Sequence, residues 1–124
     1  MTGNEPFVFF HERLDVYRVS LEFLRHVHGL ISDLGRGHGN WCDQMRRAGI
    51  SISANIAEAA CERAGPEKRR MFLIALRSAN ECAALLDSLS ILLPSESPRC
   101  QAARSVLARV VAMLAKLGRV GRGA

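Results

Sequence analysis

The sequence predicts an all-α protein that folds as an antiparallel, up-down-up-down four-helix bundle. Four segments repeat apolar residues at three- and four-residue steps, which is the period of an amphipathic helix. No segment alternates apolar and polar residues over the length of a strand. Short connections rich in glycine, proline and serine separate the segments, and such connections place consecutive helices side by side in opposite directions.

The size and composition of the chain indicate one globular domain. It has 124 residues, of which 48% are hydrophobic and 23% charged, so it is long enough to bury a core without a metal or a disulfide. We expect an N-terminal arm over residues 1–11, the bundle over 12–118 and a mobile tail over 119–124.

The first two helices are predicted over residues 12–34 and from Asn40 to the Gly65-Pro66 break, with Asn40 as the N-cap. A glycine-rich turn over residues 35–39 separates them. The apolar stripe of the first helix comprises Leu14, Tyr17, Leu21, Leu24, Val27, Leu30, Ile31 and Leu34. The stripe of the second comprises Trp41, Met45, Ala48, Ile52, Ile56 and Ala59.

The last two helices have clear start signals. Pro66 suits the first position of a third helix that runs to about Leu93, and Ser97-Pro98 begins a fourth that ends at Gly118. Their apolar stripes are Phe72, Ala75, Leu76, Ala79, Cys82, Leu86, Leu89 and Leu93, then Val106, Leu107, Val110, Met113, Leu114 and Leu117. Small residues on second faces (Ser53, Ala54, Ala57 and Ala60, then Ser78, Ala83 and Ala84) reflect either helix propensity or a contact between subunits.

Cysteine and histidine patterns predict no metal site and no cofactor. No two of the four cysteines have CxxC spacing, so we expect buried thiols in a reducing, cytoplasmic compartment. The sequence contains no Glu-x-x-His pair of the kind a di-iron bundle needs, and no histidine spacing supports a cysteine nucleophile. The longest apolar stretch, residues 83–93, is interrupted by Asp87, and we expect no membrane span, no signal peptide and no enzymatic activity.

The charge pattern predicts a basic surface on the fourth helix. The net charge is +5, and from Ser97 onward there are six basic residues and no acid. Arg104, Arg109, Lys116 and Arg119 fall within an arc of about 140° opposite the apolar stripe. Such a face attracts phosphate backbones, and the alternative is a solvated face that keeps the protein soluble. A second basic group, Arg63, Lys68, Arg69 and Arg70, lies among Glu62 and Glu67, and we expect local pairing to neutralise much of it.

Five polar residues near the contact between the second and third helices are predicted to have structural roles. They are Arg46, Arg47, Asn55, Glu58 and Glu81. Buried polar groups must find partners, and in bundles they often determine the register of the helices. We expect Glu81 to pair with Arg46 or Arg47 across the antiparallel contact.

Three stretches resemble one known protein family. They are residues 10–17 (FHERLDVY), 44–58 (QMRRAGISISANIAE) and 68–81 (KRRMFLIALRSANE), and the likeness covers about residues 10–93. The family comprises bacterial four-helix-bundle proteins first described from intervening sequences in 23S rRNA genes, and it includes the accessory protein of diversity-generating retroelements, which partners a reverse transcriptase. The chain departs from the family pattern at Ser53, where proline is usual, and at Ala59, where glycine is usual.

The resemblance implies a ring-like homopentamer and, by analogy with the retroelement member, contact with RNA or DNA or with a nucleic-acid enzyme such as a reverse transcriptase. We therefore expect a non-enzymatic, homo-oligomeric bundle that binds nucleic acid or its enzymes through Arg104, Arg109, Lys116 and Arg119. Two alternatives remain: a protein–protein scaffold with no affinity for nucleic acid, and a bundle whose core holds a metal or small molecule.

Overall fold

Four long helices account for most of the chain, which confirms the predicted fold class. A computed structural model describes residues 9–34 and 36–123, with side chains up to residue 118, and contains no strand within those ranges. The helices are α1 (Asp15–Asp33), α2 (Gly39–Cys61), α3 (Pro66–Leu92) and α4 (Ser97–Gly123). Short 3₁₀ helices at Phe10–Arg13 and Pro94–Glu96 precede α1 and α4. Residues 1–8 of the predicted arm lie outside the described residues.

The helices form a closed ring of neighbours in which α1 packs on α2, α2 on α3, α3 on α4 and α4 on α1. At three of the four interfaces, residues later in one helix contact residues earlier in its neighbour, so these neighbours are antiparallel, and it follows that α1 is antiparallel to α2. The pairs that show this are Glu22–Arg109 with Asp33–Arg99, Ser51–Ser78 with Trp41–Leu85, and Asp87–Arg104 with Leu73–Gly118. The start of α1, the α2–α3 turn and the last turns of α4 consequently lie at the same end of the bundle.

The core runs along the bundle axis and draws side chains from all four helices. Phe23, Met45, Ile52, Leu86 and Leu107 are among the large side chains that are fully buried. The predicted stripes of α2, α3 and α4 are confirmed, with Leu76, Leu93, Met113 and Leu117 only partly buried at the edge of the core. Trp41 lies at the margin, where its indole Nε1–H donates a hydrogen bond of 2.8 Å to the Leu85 backbone oxygen.

The predicted stripe of α1 is partly wrong. Val16, Val19 and Phe23 enter the core, whereas the predicted Leu21 and Leu24 are only half-buried. Leu24 lies on the flank that faces α2, where its Cδ2 would be 3.1 Å from a Cβ placed on Gly49. Two adjacent faces of α1 are apolar and both repeat at helical spacing, so only packing against the neighbouring helices decides which one faces the axis.

Four helix boundaries differ from the prediction, and one of them is the end of α2, which stops at Cys61 before the predicted Gly65-Pro66 break. α1 begins at Asp15, because the preceding residues form the first 3₁₀ helix. Asn40 lies inside α2 and does not cap it; its Oδ1 accepts a hydrogen bond of 3.3 Å from Gln44. The backbone of α4 continues through Gly123, past Gly118, because glycine costs only about 1 kcal/mol in a helix and Gly118 is buried against α3. The predicted starts of α3 and α4 are confirmed.

Candidate nucleic-acid interface

The predicted basic residues of α4 point toward different neighbours. Arg104 lies on the α3 flank, with its Nε 3.4 Å from Asp87 Oδ1. Arg109 lies on the α1 flank, with its Nη1 3.3 Å from Glu22 Oε2. Lys116 is exposed and forms no ion pair within the described part of the chain. Arg119 belongs to the helical backbone, and its side chain lies outside the described residues.

Carboxylates from other segments therefore offset much of the charge on α4. Arg99, near its start, is also paired, with Nη1 2.9 Å from Asp33 Oδ2 and 3.3 Å from Glu96 Oε1. The Arg104 and Arg109 side chains remain about half exposed, so each pair is worth under about 1 kcal/mol. The sequence of α4 taken alone predicts a basic face. In the folded protein this face has mixed charge, because carboxylates of α1 and α3 lie beside its arginines.

Positive charge is concentrated at one end of the bundle. We define the basic end as residues 12–18, 58–70 and 116–123, which antiparallel packing brings together. These segments hold nine basic and five acidic residues, whereas the rest of the chain holds eight basic and seven acidic. These three segments thus carry four of the five units of net charge, two of them on Arg119 and Arg122, whose side chains lie outside the described residues.

Ion pairing at the basic end is incomplete. Arg70 forms two hydrogen bonds with Glu67, of 3.1 and 2.7 Å, and this bonding lowers the pKa of the Glu67 carboxyl. Arg18 pairs with Asp15. Lys68 Nζ instead donates to the Glu62 backbone oxygen at 3.2 Å. No ion pair within the described residues involves Arg13, Arg63, Arg69 or Lys116.

Two phenylalanines are exposed at the same end of the bundle. Phe9 and Phe10, at the start of the first 3₁₀ helix, are 61% and 65% exposed. The Phe9 ring stacks on His11 with a centroid distance of 5.6 Å, and His11 meets the edge of Tyr17 at 4.4 Å. The sequence alone does not link these rings to the basic residues, because they lie far from Arg63 along the chain.

The polar residues between α2 and α3 form a small network that differs from the predicted one. Ser78 Oγ donates to Ser51 Oγ at 2.8 Å, and Asn55 Nδ2 donates to the Ser51 backbone oxygen at 2.9 Å. Arg46 pairs with Asp43 at 3.0 Å on the side of α2 turned away from α3, so it does not reach Glu81.

Arg47, Glu58 and Glu81, the other charged members of the predicted network, form no ion pair within the described residues. Arg47 and Glu81 line the same α2–α3 groove, of about 320 Å³, and no ion pair joins them within the described chain. Glu58 is exposed on α2. Serine hydroxyls, rather than charges, therefore make the polar contact between these helices.

The cysteines do not share one environment, contrary to the expectation that all are buried. Cys82 and Cys100 are buried, Cys42 is partly buried and Cys61, the last residue of α2, is exposed. Burial, with a smaller effect from the Glu81 charge, raises the pKa of the Cys82 thiol to about 12. Within the described residues no group of His, Cys, Asp and Glu side chains is arranged to hold a metal, and no helix could cross a membrane.

Comparison with known proteins identifies similarity at the level of family and fold. The family described as 23S rRNA-intervening sequence protein matches residues 12–116. A solved protein of unknown function from the S23 ribosomal protein family of Bacteroides thetaiotaomicron is 27% identical, with a TM-score of 0.73, and the match covers 83% of this chain and 97% of that one. No curated protein matches the sequence.

Proposed function

This chain belongs to the 23S rRNA-intervening sequence protein family, and from that premise we propose that it is a non-enzymatic, homo-oligomeric bundle that binds nucleic acid through a basic surface. The observation that carries the proposal is that the segments of the basic end have a net charge of +4, and that Arg13, Arg63, Arg69 and Lys116 among them form no ion pair within the described residues. Cations without carboxylate partners attract phosphates, because contact releases the counterions condensed along a nucleic acid backbone.

Self-association would strengthen this attraction. Each copy contributes one basic end, so a homopentameric ring would present the same cations five times, and their contributions to a long phosphate backbone would add. Half-buried Leu21 and Leu24 on α1, together with Ile50 on α2, which is 50% exposed, supply apolar surface suited to contact between copies.

A salt titration tests the proposal. Purified protein is mixed with labelled RNA and DNA at several salt concentrations, and its mass in solution is measured in parallel. We expect the protein to be an oligomer. The logarithm of its binding constant should fall steeply and linearly with the logarithm of the salt concentration, and the slope estimates the number of phosphates contacted. Absence of binding at low salt would refute nucleic-acid binding, and a monomeric mass would refute self-association.

A protein–protein scaffold is the second candidate, and one observation favours it. Ile91 and Leu92, at the end of α3 opposite the basic end, are 79% and 67% exposed. Neighbouring exposed apolar side chains often mark a protein contact. Under this alternative, a protein partner such as a polymerase would stay bound after nuclease treatment, and the protein alone would bind no nucleic acid.

A further inference from the structure

The exposed rings at the basic end are held on an ordered element. The Phe9 backbone N–H donates to Glu12 Oε1 at 3.4 Å, and the Arg18 guanidinium donates to the Glu12 backbone oxygen at 2.9 Å. The first bond closes the start of the 3₁₀ helix, and the second ties this helix to the first turn of α1. Phe9 is further supported from one side by its stacking on His11. The rings are therefore displayed on a fixed platform while most of their surface stays in water.

The same end carries cations drawn from distant parts of the sequence. Arg13 lies within the 3₁₀ helix, Arg63 and Arg69 lie around the α2–α3 turn, and Lys116 lies near the end of α4. None of the four forms an ion pair within the described chain. Flat rings and cations without ion pairs, brought to one end of the bundle, are the two components of a surface that binds single strands: the cations follow the phosphates and the rings stack on bases.

We propose that the basic end binds single-stranded nucleic acid, with phosphates on Arg13, Arg63, Arg69 and Lys116 and bases stacked on Phe9 and Phe10. The inference rests on the proposed function and deepens it by naming the form of the ligand. A double helix keeps its base faces inside the stack, so only an unpaired strand offers a face to these rings. Stacking does not discriminate among bases, so binding would tolerate many sequences.

The test measures the affinities of variants that lack the aromatic rings and of variants that keep them, for single strands and duplexes of the same sequence. The double variant Phe9→Leu/Phe10→Leu removes the flat rings and keeps apolar side chains, whereas Phe9→Tyr/Phe10→Tyr keeps the rings. Ile91→Ala/Leu92→Ala is the control, because it alters two exposed apolar residues at the opposite end. Each protein is titrated with one RNA and one DNA sequence, both as single strands and as duplexes, at a single salt concentration.

We expect the wild-type protein to prefer single strands. The leucine variant should bind them about tenfold more weakly while its duplex affinity stays unchanged. The tyrosine variant and the control should bind as the wild type does. Circular dichroism should show the same unfolding profile for the leucine and tyrosine variants, because Phe9 and Phe10 contribute little to the core.

A second measurement detects stacking directly. In the variant Phe10→Trp, a base that stacks on the new indole should quench its fluorescence. Trp41 is buried away from the basic end, so the wild-type protein should give no such response.

The outcomes separate the two proposals. Wild-type protein that binds neither strand form refutes the proposed function itself. Equal affinity for single and double strands, an unaffected leucine variant, or an unquenched indole in Phe10→Trp refutes the stacking inference and leaves general phosphate binding in place. A leucine variant whose mass in solution falls while its affinity is unchanged assigns the rings to contact between copies, which also overturns the inference.

Discussion

Arg109 of α4 lies 3.3 Å from Glu22 of α1, although the two residues are 87 positions apart in the sequence. This pair explains why helix four, whose own segment contains no acid after Ser97, does not present a purely basic face. Arg104 and Asp87 make the equivalent contact on the other flank. Antiparallel packing thus neutralises the middle of α4 and leaves the uncompensated charge at the end of the bundle.

Neutralising the basic end should weaken nucleic-acid binding more than neutralising α4. The variant Arg63→Gln/Lys68→Gln/Arg69→Gln and its control Arg99→Gln/Arg104→Gln/Arg109→Gln each remove three positive charges. In a plot of the logarithm of the binding constant against the logarithm of the salt concentration, we expect the basic-end variant to lower the magnitude of the slope by up to about three. The α4 control should change this slope less, because its arginines already have carboxylate partners.

Glutamine is preferred to a reversed charge in this comparison. An acidic residue at Arg104 or Arg109 would face Asp87 or Glu22 and add repulsion to the effect being measured. Circular dichroism should show that both variants stay helical. Equal loss of affinity in the two would indicate that binding depends on total charge and has no defined site.

Removing the hydroxyl that links α2 to α3 should destabilise the bundle. Ser78→Ala deletes the 2.8 Å hydrogen bond to Ser51, and we expect the free energy of unfolding to fall by about 1 kcal/mol. Ser88→Ala is the matched control, since Ser88 is exposed and bonds only to Ala84 of its own helix. Urea unfolding followed by circular dichroism measures both, and similar values for the two variants would contradict a role for the interhelical bond.

Replacing Gly118 should stabilise α4. A Cβ at this position would meet Leu73 Cδ2 at 3.8 Å, an ordinary van der Waals distance, so Gly118→Ala gains helix propensity without a clash. The expected increase in the free energy of unfolding is about 0.5–1 kcal/mol. Gly49→Ala is the comparison, because its Cβ would lie 3.1 Å from Leu24 and force that side chain to move. A stabilisation at least as large at Gly49 would show that packing against Leu24 imposes no cost.

The cysteines should differ strongly in reactivity. With its pKa raised to about 12 by burial, Cys82 is almost entirely protonated at neutral pH and is shielded from reagents, whereas Cys61 is exposed. In the native protein, an alkylating reagent should modify Cys61 first and Cys82 only after unfolding, as measured by mass spectrometry of peptides. Modification of Cys82 at the rate of Cys61 would contradict its burial.

The same pKa shift predicts a loss of stability in alkaline solution. Because the folded state raises the pKa of Cys82 from an ordinary value of 9.0 to about 12, folding favours the neutral thiol. The contribution of this shift to the free energy of unfolding is fully present below pH 9 and is lost as the pH rises toward 12. Between these values the Cys82 thiol ionises readily only in the unfolded chain. Cys82→Ala should show a shallower alkaline loss of stability than the wild-type protein, and identical pH profiles would refute the linkage.

The sequence alone was sufficient to predict four helices, their connections and three of their four apolar stripes. Helical periodicity is a local property, and Ile52, Leu86 and Leu107 each lie on the stripe that periodicity predicts and are fully buried. In α1 the choice between Phe23 and Leu24 depended on its neighbours, because both residues belong to apolar faces at helical spacing.

The place where charge and aromatic surface meet depends on how the helices pack. The sequence shows that Arg104 and Arg109 share a helix with no nearby acid, but their partners Asp87 and Glu22 come from other helices. Likewise, Phe9, Arg63 and Lys116 are far apart along the chain and reach one end of the bundle only because neighbouring helices run in opposite directions. Helix formation and apolar periodicity are encoded locally, whereas electrostatic pairing, like the choice of the buried face of α1, depends on contacts between segments that exist only after the helices have packed.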